Sequence, residues 1–383
     1  MSQPDKQIIS QLRALVGTPS VSSTDPSWDQ GNRAVIELLA GWLEALGFRT
    51  EIMAVSADGR KANLIATLGS GPGGLVLAGH TDTVPFDEGR WRSDPLQLTE
   101  RDQRLYGLGS TDMKGFFPIA IAAASAFAGK TLQQPLIILA TADEESSMDG
   151  ARALAAAGRP GARAAIIGEP TSLQPVRLHK GIMMEAVEIT GLAGHSSNPA
   201  LGVNAIDVMH ELVGELMQFR QELAAKHANS AFDVAFPTLN LGCIHGGDSP
   251  NRICGRCELH FDLRLTPSAA AAGVREQLQQ RLQGLAQAHG AGIALRSLVQ
   301  PVPPFEQAAH SDLVRLAEKL TGHSAMAVGF ATEAPFLQAM GMETIIMGPG
   351  SIDRAHQPDE YLELSQIRPC VDLLQSCIAH YCL

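Results

Sequence analysis

A chain of 383 residues, 45% apolar and 18% charged, is long enough for about two cores and has the make-up of a folded globular protein, which excludes a disordered or low-complexity chain. The formal net charge of -11 excludes a general nucleic-acid binder, whose affinity depends on clustered Lys and Arg displacing counterions from phosphates. An acidic balance serves solubility and is compatible with a cationic small substrate.

The chain opens Met1-Ser2-Gln3-Pro4-Asp5-Lys6-Gln7, without the basic start and apolar run of a secretory signal. Its apolar runs are of strand length, far short of the roughly 20 residues a membrane helix needs. The expectation is a cytoplasmic chain with no membrane and no nucleic-acid partner. A helix is predicted over residues 32–46, because Val35, Ile36, Leu39, Trp42, Leu43 and Leu46 recur at helical spacing. Residues 75–78, 136–139, 164–167 and 344–347 are apolar on both faces and predict buried parallel strands. Between the first two lies a small-residue helix over about 115–128, expected to be irregular at Pro118. This alternation predicts an α/β fold, a mostly parallel sheet with flanking helices, over residues 1–180 and 300–383.

The segment 181–299 reads as a small α+β domain inserted into the first. Strand 183–189, helix 205–224, strands 238–241 and 257–263, helix 269–288 and strand 293–298 give the order β-α-β-β-α-β. Pro301, Pro303 and Pro304 mark the return to the first domain. The six cysteines show no disulfide framework. Cys254-x-x-Cys257 lacks the second pair of a structural zinc site, and in a strand its two thiols face opposite sides, so no metal is expected there.

The polar residues that invite chemistry follow the apolar runs. The first strand leads into Gly79-His80-Thr81-Asp82, the second into Asp143-Glu144-Glu145 and the third into Gly168-Glu169-Pro170. Ligands of open α/β sheets bind at the carboxyl ends of strands, so one His and several carboxylates are expected at one edge. Residues two apart in extended backbone share a side, which lets Asp82 accept a hydrogen bond from the His80 imidazole and fix its tautomer. Glu144 and Glu145 point in different directions, which suits one carboxylate to a metal and its neighbour to a water. Asp112 sits in Gly107-Leu108-Gly109-Ser110-Thr111-Asp112-Met113-Lys114-Gly115, which lacks the spacing of a phosphate-binding loop. A helix N-cap is the plainer reading of that Asp.

The motifs Gly79-His80-Thr81-Asp82-Thr83-Val84-Pro85, Gly109-Ser110-Thr111-Asp112-Met113-Lys114-Gly115, Asp143-Glu144-Glu145, Gly168-Glu169-Pro170, Gly194-His195-Ser196-Ser197 and Ala355-His356-Gln357-Pro358-Asp359-Glu360 stand in the order of the M20 metallopeptidase family, which the chain resembles over nearly its whole length. The resemblance implies a di-zinc exopeptidase-like fold whose inserted domain acts in dimerisation and as a lid, giving a homodimer. It implies two Zn²⁺ per subunit, with Co²⁺ or Mn²⁺ as substitutes, and Asp112 as the bridge between them. His80 and Glu169 would complete one ion, Glu145 and His356 the other. Asp82 would orient His80, and Glu144 would be the general base and acid. His195 would reach the partner subunit's site and steady the oxyanion, while Asn251, Arg252 and Arg264 would bind substrate. Met113 departs from the Asp that many members carry after the bridging residue, at a position that is not a ligand.

The implied substrate is a small N-acyl amino acid, cut at its amide. The segments 84–91, 169–176 and 348–352 carry a closer match to a branch of the family that removes acetyl groups from amino acids. A desuccinylase, an aminoacylase or a dipeptidase on the same scaffold is the neighbouring alternative. From another class, a non-catalytic binding protein of this fold should have lost a ligand or the base, and none is missing. Glu333 is a candidate reader of a substrate side-chain amine.

Overall fold

The apolar runs become the strands of two sheets in a computed structural model that describes residues 3–383. In chain order the strands of six residues or more are β1 (Arg49–Ala54), β2 (Ala62–Leu68), β3 (Leu75–His80), β4 (Leu136–Thr141), β5 (Ala164–Pro170), β6 (Gly181–Thr190), β7 (Thr238–Gly246), β8 (Arg256–Leu265), β9 (Gly292–Ser297) and β10 (Glu343–Gly348). They fall into two units. One comprises Met1–Arg177, Gln307–Met326 and Thr332–Leu383, and the other Leu178–Glu306 with Ala327–Ala331.

In the first unit the order is β1-β2-β4-β3-β5-β10. The four strands expected from sequence, β4-β3-β5-β10, are its parallel core. Every position of β3, β4 and β5 is buried, as in a sheet covered on both faces. The antiparallel pair β1–β2 extends one side and makes the sheet mixed. It was not expected, because β1 reads Arg-Thr-Glu-Ile-Met-Ala and is partly exposed along its length, which leaves a weak apolar signal.

The helices α1 (Gln3–Val16), α2 (Arg33–Ala45) and α3 (Phe116–Ser125) bury their apolar stripes in one core with the sheet, together with the C-terminal helix Leu364–Cys382. Helix α2 starts and stops within one residue of expectation. Asn32 does not cap it through its side chain. Instead Asn32 Nδ2 donates to the Ala62 carbonyl (2.8 Å) and to Thr81 Oγ1 (2.7 Å), tying the helix start to β2 and to the chain leaving β3. The irregularity expected at Pro118 does not occur. Pro118 is the third residue of α3, within the first turn, where a backbone N–H has no partner inside the helix to lose.

The second unit has the order β7-β8-β6-β9, all antiparallel. Helices Ala205–Lys226 and Ala271–His289 bury Leu212, Leu216, Phe219, Val274 and Leu278 in a second core with Val187, Leu259 and Phe261 of the sheet. A short ladder of Gly194–His195 with Arg252–Ile253 lies outside that sheet. Cys254 and Cys257 are buried free thiols, and among the described residues neither joins a group able to hold a metal. Among the described residues no helix is long and apolar enough to cross a membrane.

The approach of α3 to β5 depends on Gly168, where a Cβ would lie 2.1 Å from the Phe116 ring. Gly168→Ala should destabilise the protein by about 1–3 kcal/mol through overpacking. Gly41→Ala, in α2 with nothing within 4 Å of the added carbon, should be neutral or mildly stabilising. Denaturant unfolding of the two variants checks the contrast.

Candidate active site

The parallel strands end together. His80 at the end of β3 is in register with Thr141 at the end of β4, and Ala78 with Ile167, just before Gly168-Glu169 in β5. His80 and Glu169 are buried, and Glu144-Glu145 follow within the turn after β4.

The His80 imidazole is fixed at both nitrogens. Nδ1 donates to the backbone carbonyl of Asp82 at 3.0 Å, and Nε2 meets Asp112 Oδ1 in a hydrogen bond at 3.0 Å, with Glu169 Oε2 at 3.9 Å. The expected bond from the ring to the Asp82 carboxylate is replaced by this carbonyl contact. Asp82 Oδ1 stands 3.8 Å from Nδ1, because Oδ2 is engaged by the Glu145 N–H at 3.1 Å.

Asp112 is not a helix cap: α3 begins at Phe116 behind Gly115. One oxygen of its buried carboxylate faces His80, and the other lies 3.3 Å from His356 Nε2. The same His356 nitrogen is 2.9 Å from Glu145 Oε1. Three groups therefore have ligand atoms within 4.8 Å of one another: His80, Asp112 and Glu169; Asp112, Glu145 and His356; and His80, Glu144 and Glu145. Asp112 is common to the first two.

The loop that presents Asp112 is held by Glu360, which had no expected role. Its carboxylate accepts from the N–H groups of Gly109 (3.0 Å), Thr111 (2.8 Å) and Asp112 (3.0 Å), while Thr111 Oγ1 donates to the Tyr361 carbonyl at 2.8 Å. Buried Lys114 donates to the carbonyls of Leu15 and Thr18. The Asp112–Met113 peptide is cis, and Met113 is fully buried where a side chain on Gly79 would collide with it. No local pattern around Glu360 announces that it binds a loop so far upstream in the chain.

Burial and mutual repulsion dominate the electrostatics. Burial, then Glu169, push the Glu144 carboxyl well above its ordinary range; burial, then Asp112, do the same to Glu169. Asp82 is raised to about 6, Glu333 to about 7 and Glu360 to about 8, each chiefly by burial. Asp112 goes the other way: hydrogen bonds from His356 and His80 overcome burial and hold it well below the usual carboxylate range. Its hydrogen bond, with that of Glu145, lifts His356 to about 10.

Asp82 Oδ1 and Glu333 Oε1 are buried with no hydrogen-bond partner. Carboxylates thus outnumber the imidazoles around Asp112. This donor set of imidazole nitrogens and carboxylate oxygens, short of positive charge, fits a pair of divalent ions. Glu333, before helix Ala334–Ala339, accepts from Thr141 Oγ1 at 2.9 Å.

In the second unit, His195 is exposed on the short ladder, directly opposite Arg252. Its Nδ1 accepts from Ser197 Oγ (2.8 Å) and from the Ser197 N–H (3.2 Å), so a neutral ring carries its proton on Nε2. Asn251 takes the Ser196 N–H on its carbonyl and the Ser249 hydroxyl on its side chain, and Arg252 pairs with Asp248 at 2.5 Å. His195, Asn251 and Arg252 are thus neighbours. Arg264 lies on a different strand, β8, opposite Ile182 and Thr238, with its Nε on Asp262 at 2.8 Å.

Residues 76–380 match the peptidase family M20/M25/M40. Among relatives, an acetylornithine deacetylase of Pasteurella multocida (strain Pm70) is 51% identical over 369 residues, 96% of each chain. One from Klebsiella pneumoniae (strain 342) is 49% identical over 97% of this chain and 96% of its own. The fold is also that of the aminopeptidase PepT from Bacillus cereus ATCC 10987, with a TM-score of 0.76 at 18% identity and 98% of each chain covered. A metallo-carboxypeptidase from Sulfolobus solfataricus superposes with a TM-score of 0.74 at 18% identity over 99% of each chain.

Replacing Glu360 tests the support of the Asp112 loop. Glu360→Ala leaves three buried N–H groups unpaired, at about 1–3 kcal/mol each. It should lower both thermal stability and the amount of divalent metal retained after dialysis. Glu360→Gln, whose oxygen can still serve Thr111 and Asp112, should lose less of both.

Proposed function

The chain belongs to peptidase family M20/M25/M40, and from that premise we propose that it hydrolyses N2-acetyl-L-ornithine to L-ornithine and acetate, a step of arginine biosynthesis. It is a hydrolase of a metal-dependent family. The observation that carries the metal reading is the single Asp112 carboxylate with one oxygen toward His80 and the other toward His356. Identity of about half the residues over nearly the full length of acetylornithine deacetylases carries the substrate.

His80, Asp112 and Glu169 would hold one ion; Asp112, Glu145 and His356 the other. Two ions so held supply a Lewis acid for the scissile carbonyl and a water acidic enough to react near neutral pH. Zinc suits this donor set, with cobalt or manganese as substitutes. The protein's own contribution starts with Asp82, whose carbonyl takes the Nδ1 proton of His80 and so keeps Nε2 free as a ligand. Glu144 takes the proton of the attacking water and returns it to the departing amine nitrogen. A site crowded with buried acids raises its affinity for that proton, which suits a group that must accept and then release it.

The oxyanion is steadied by the Nε2–H of His195 of the partner subunit, in a homodimer. Asn251, Arg252 and Arg264 are assigned to the substrate, with an Arg gripping its free carboxylate. We place the enzyme in the cytoplasm.

Purified protein dialysed against a chelator should be inactive and should regain activity with Zn²⁺, Co²⁺ or Mn²⁺. The reloaded enzyme should turn over N-acetylornithine faster than N-acetylcitrulline or N-succinyl-diaminopimelate. A clear preference for the succinylated compound would transfer the assignment to a desuccinylase. Glu144→Ala should keep its metal and its melting temperature while kcat falls by about 10²–10⁴-fold, the usual worth of a general acid–base group.

A further inference from the structure

The turn that carries Glu144 and Glu145 is held from behind. Asp143 lies in the left-handed region at φ 61°, where a residue with a Cβ needs support. Its own carbonyl accepts the N–H groups of Ser147 (3.1 Å) and Met148 (2.7 Å), which closes the turn. Its buried carboxylate accepts at one oxygen from Lys61 Nζ (2.7 Å) and from Ser22 Oγ (2.7 Å). The same Lys61 ammonium donates to Asp29 Oδ1 at 2.8 Å, and Ser22 is anchored by its N–H on the Thr83 carbonyl at 2.9 Å. On the opposite side, Asp82 Oδ2 takes the Glu145 N–H.

The Lys61 side chain is 14% exposed, so its charge sits largely out of water between the two carboxylates. Next to it opens a cavity of about 450 Å³ lined by Asp29, Asp58, Arg60, Lys61, Asp143 and Asp149. Without the ammonium, the Asp143 carboxylate would face acidic neighbours and have that space to move into. We propose that Lys61 is a positioning residue: anchored by Asp29, it holds Asp143 in its left-handed conformation and thereby aims Glu144 and Glu145. This rests on the reading that Glu144 moves the proton and Glu145 holds a metal. A displacement of about 1 Å in such groups costs up to about 10²-fold in rate, and removing the ammonium also leaves the buried Asp143 carboxylate without its cation, so the ion pair acts on both catalysis and stability.

The test compares wild type with Lys61→Met, Lys61→Arg, Asp143→Asn and the Lys61→Met/Asp143→Asn double variant, each by zinc titration of the apoprotein, melting temperature, and kcat and KM at saturating zinc. Lys61→Met should weaken the affinity for one of the two zinc ions by about tenfold or more and lower kcat by about 10–100-fold. KM should stay within about twofold, and the melting temperature should fall, because the buried Asp143 carboxylate loses its cation. Lys61→Arg should recover most of both losses. The double variant should be no worse than the more damaged single variant, because both single changes act through the Lys61–Asp143 ion pair.

Wild-type zinc affinity in Lys61→Met overturns the proposal, and so does additive damage in the double variant. Equal damage in Lys61→Arg and Lys61→Met, each with a large drop in melting temperature, also overturns it. Zinc affinity is read without turnover, so a wild type inactive on every acyl substrate would sink the functional reading and leave the positioning result to stand or fall by itself.

Discussion

Asp112 shares one carboxylate between two imidazoles brought from distant parts of the chain, His80 at the end of β3 and His356 near the C-terminus. That sharing constrains the rest of the first unit. A carboxylate flanked this closely cannot shift toward one ring without leaving the other, so its loop must be held from its own backbone. Glu360 provides that hold through three N–H groups, and Lys114 ties the next turn to the carbonyls of Leu15, in the last turn of α1, and of Thr18 just beyond it. The chain segment bearing His356 and the loop bearing Asp112 are thereby one mechanical piece.

The same crowding sets the electrostatics. Gathering Asp82, Glu144, Glu169 and Glu333 around Asp112 opposes folding, since each carboxylate loses solvent and repels the others. Their raised proton affinities and the partnerless oxygens of Asp82 and Glu333 express that cost. A divalent pair bound there would offset that cost, and so would couple metal binding to stability. Lys61 relieves one corner permanently: its ammonium neutralises Asp143 on the far side of the turn from the ligands. The acids are thus arranged in two layers, those around Asp112 and, behind their turn, Asp143 with its Lys61 partner.

Much of this was legible beforehand. The parallel strands of the large sheet, the boundaries of α2 and the β-α-β-β-α-β order of the second unit follow from runs and periods, because burial on both faces leaves long apolar stretches and burial on one face leaves an alternation. The β1–β2 pair was illegible because a partly exposed outer strand with Arg49, Thr50 and Glu51 carries neither signal. Pro118 misled because a proline's effect depends on whether it falls in the first turn or beyond it, a matter of one residue in the helix start. The spacing of His80 and Asp82 predicts a bond from the ring to the carboxylate, whereas the ring meets the Asp82 carbonyl and the carboxylate takes the Glu145 N–H.

By itself the sequence determined which side chains reach the carboxyl edge of the sheet, since strand ends and the polar residues after them are local features of the chain. Its ordered motifs also identified Asp112 and His356 as partners of that cluster. Tertiary structure alone decided how those groups are held. Glu360 on the Asp112 loop, Lys61 between Asp29 and Asp143, and Glu333 on Thr141 join residues far apart in the chain. Such contacts depend on packing and on the desolvation of each charge, and neither quantity exists until distant segments have closed on one another.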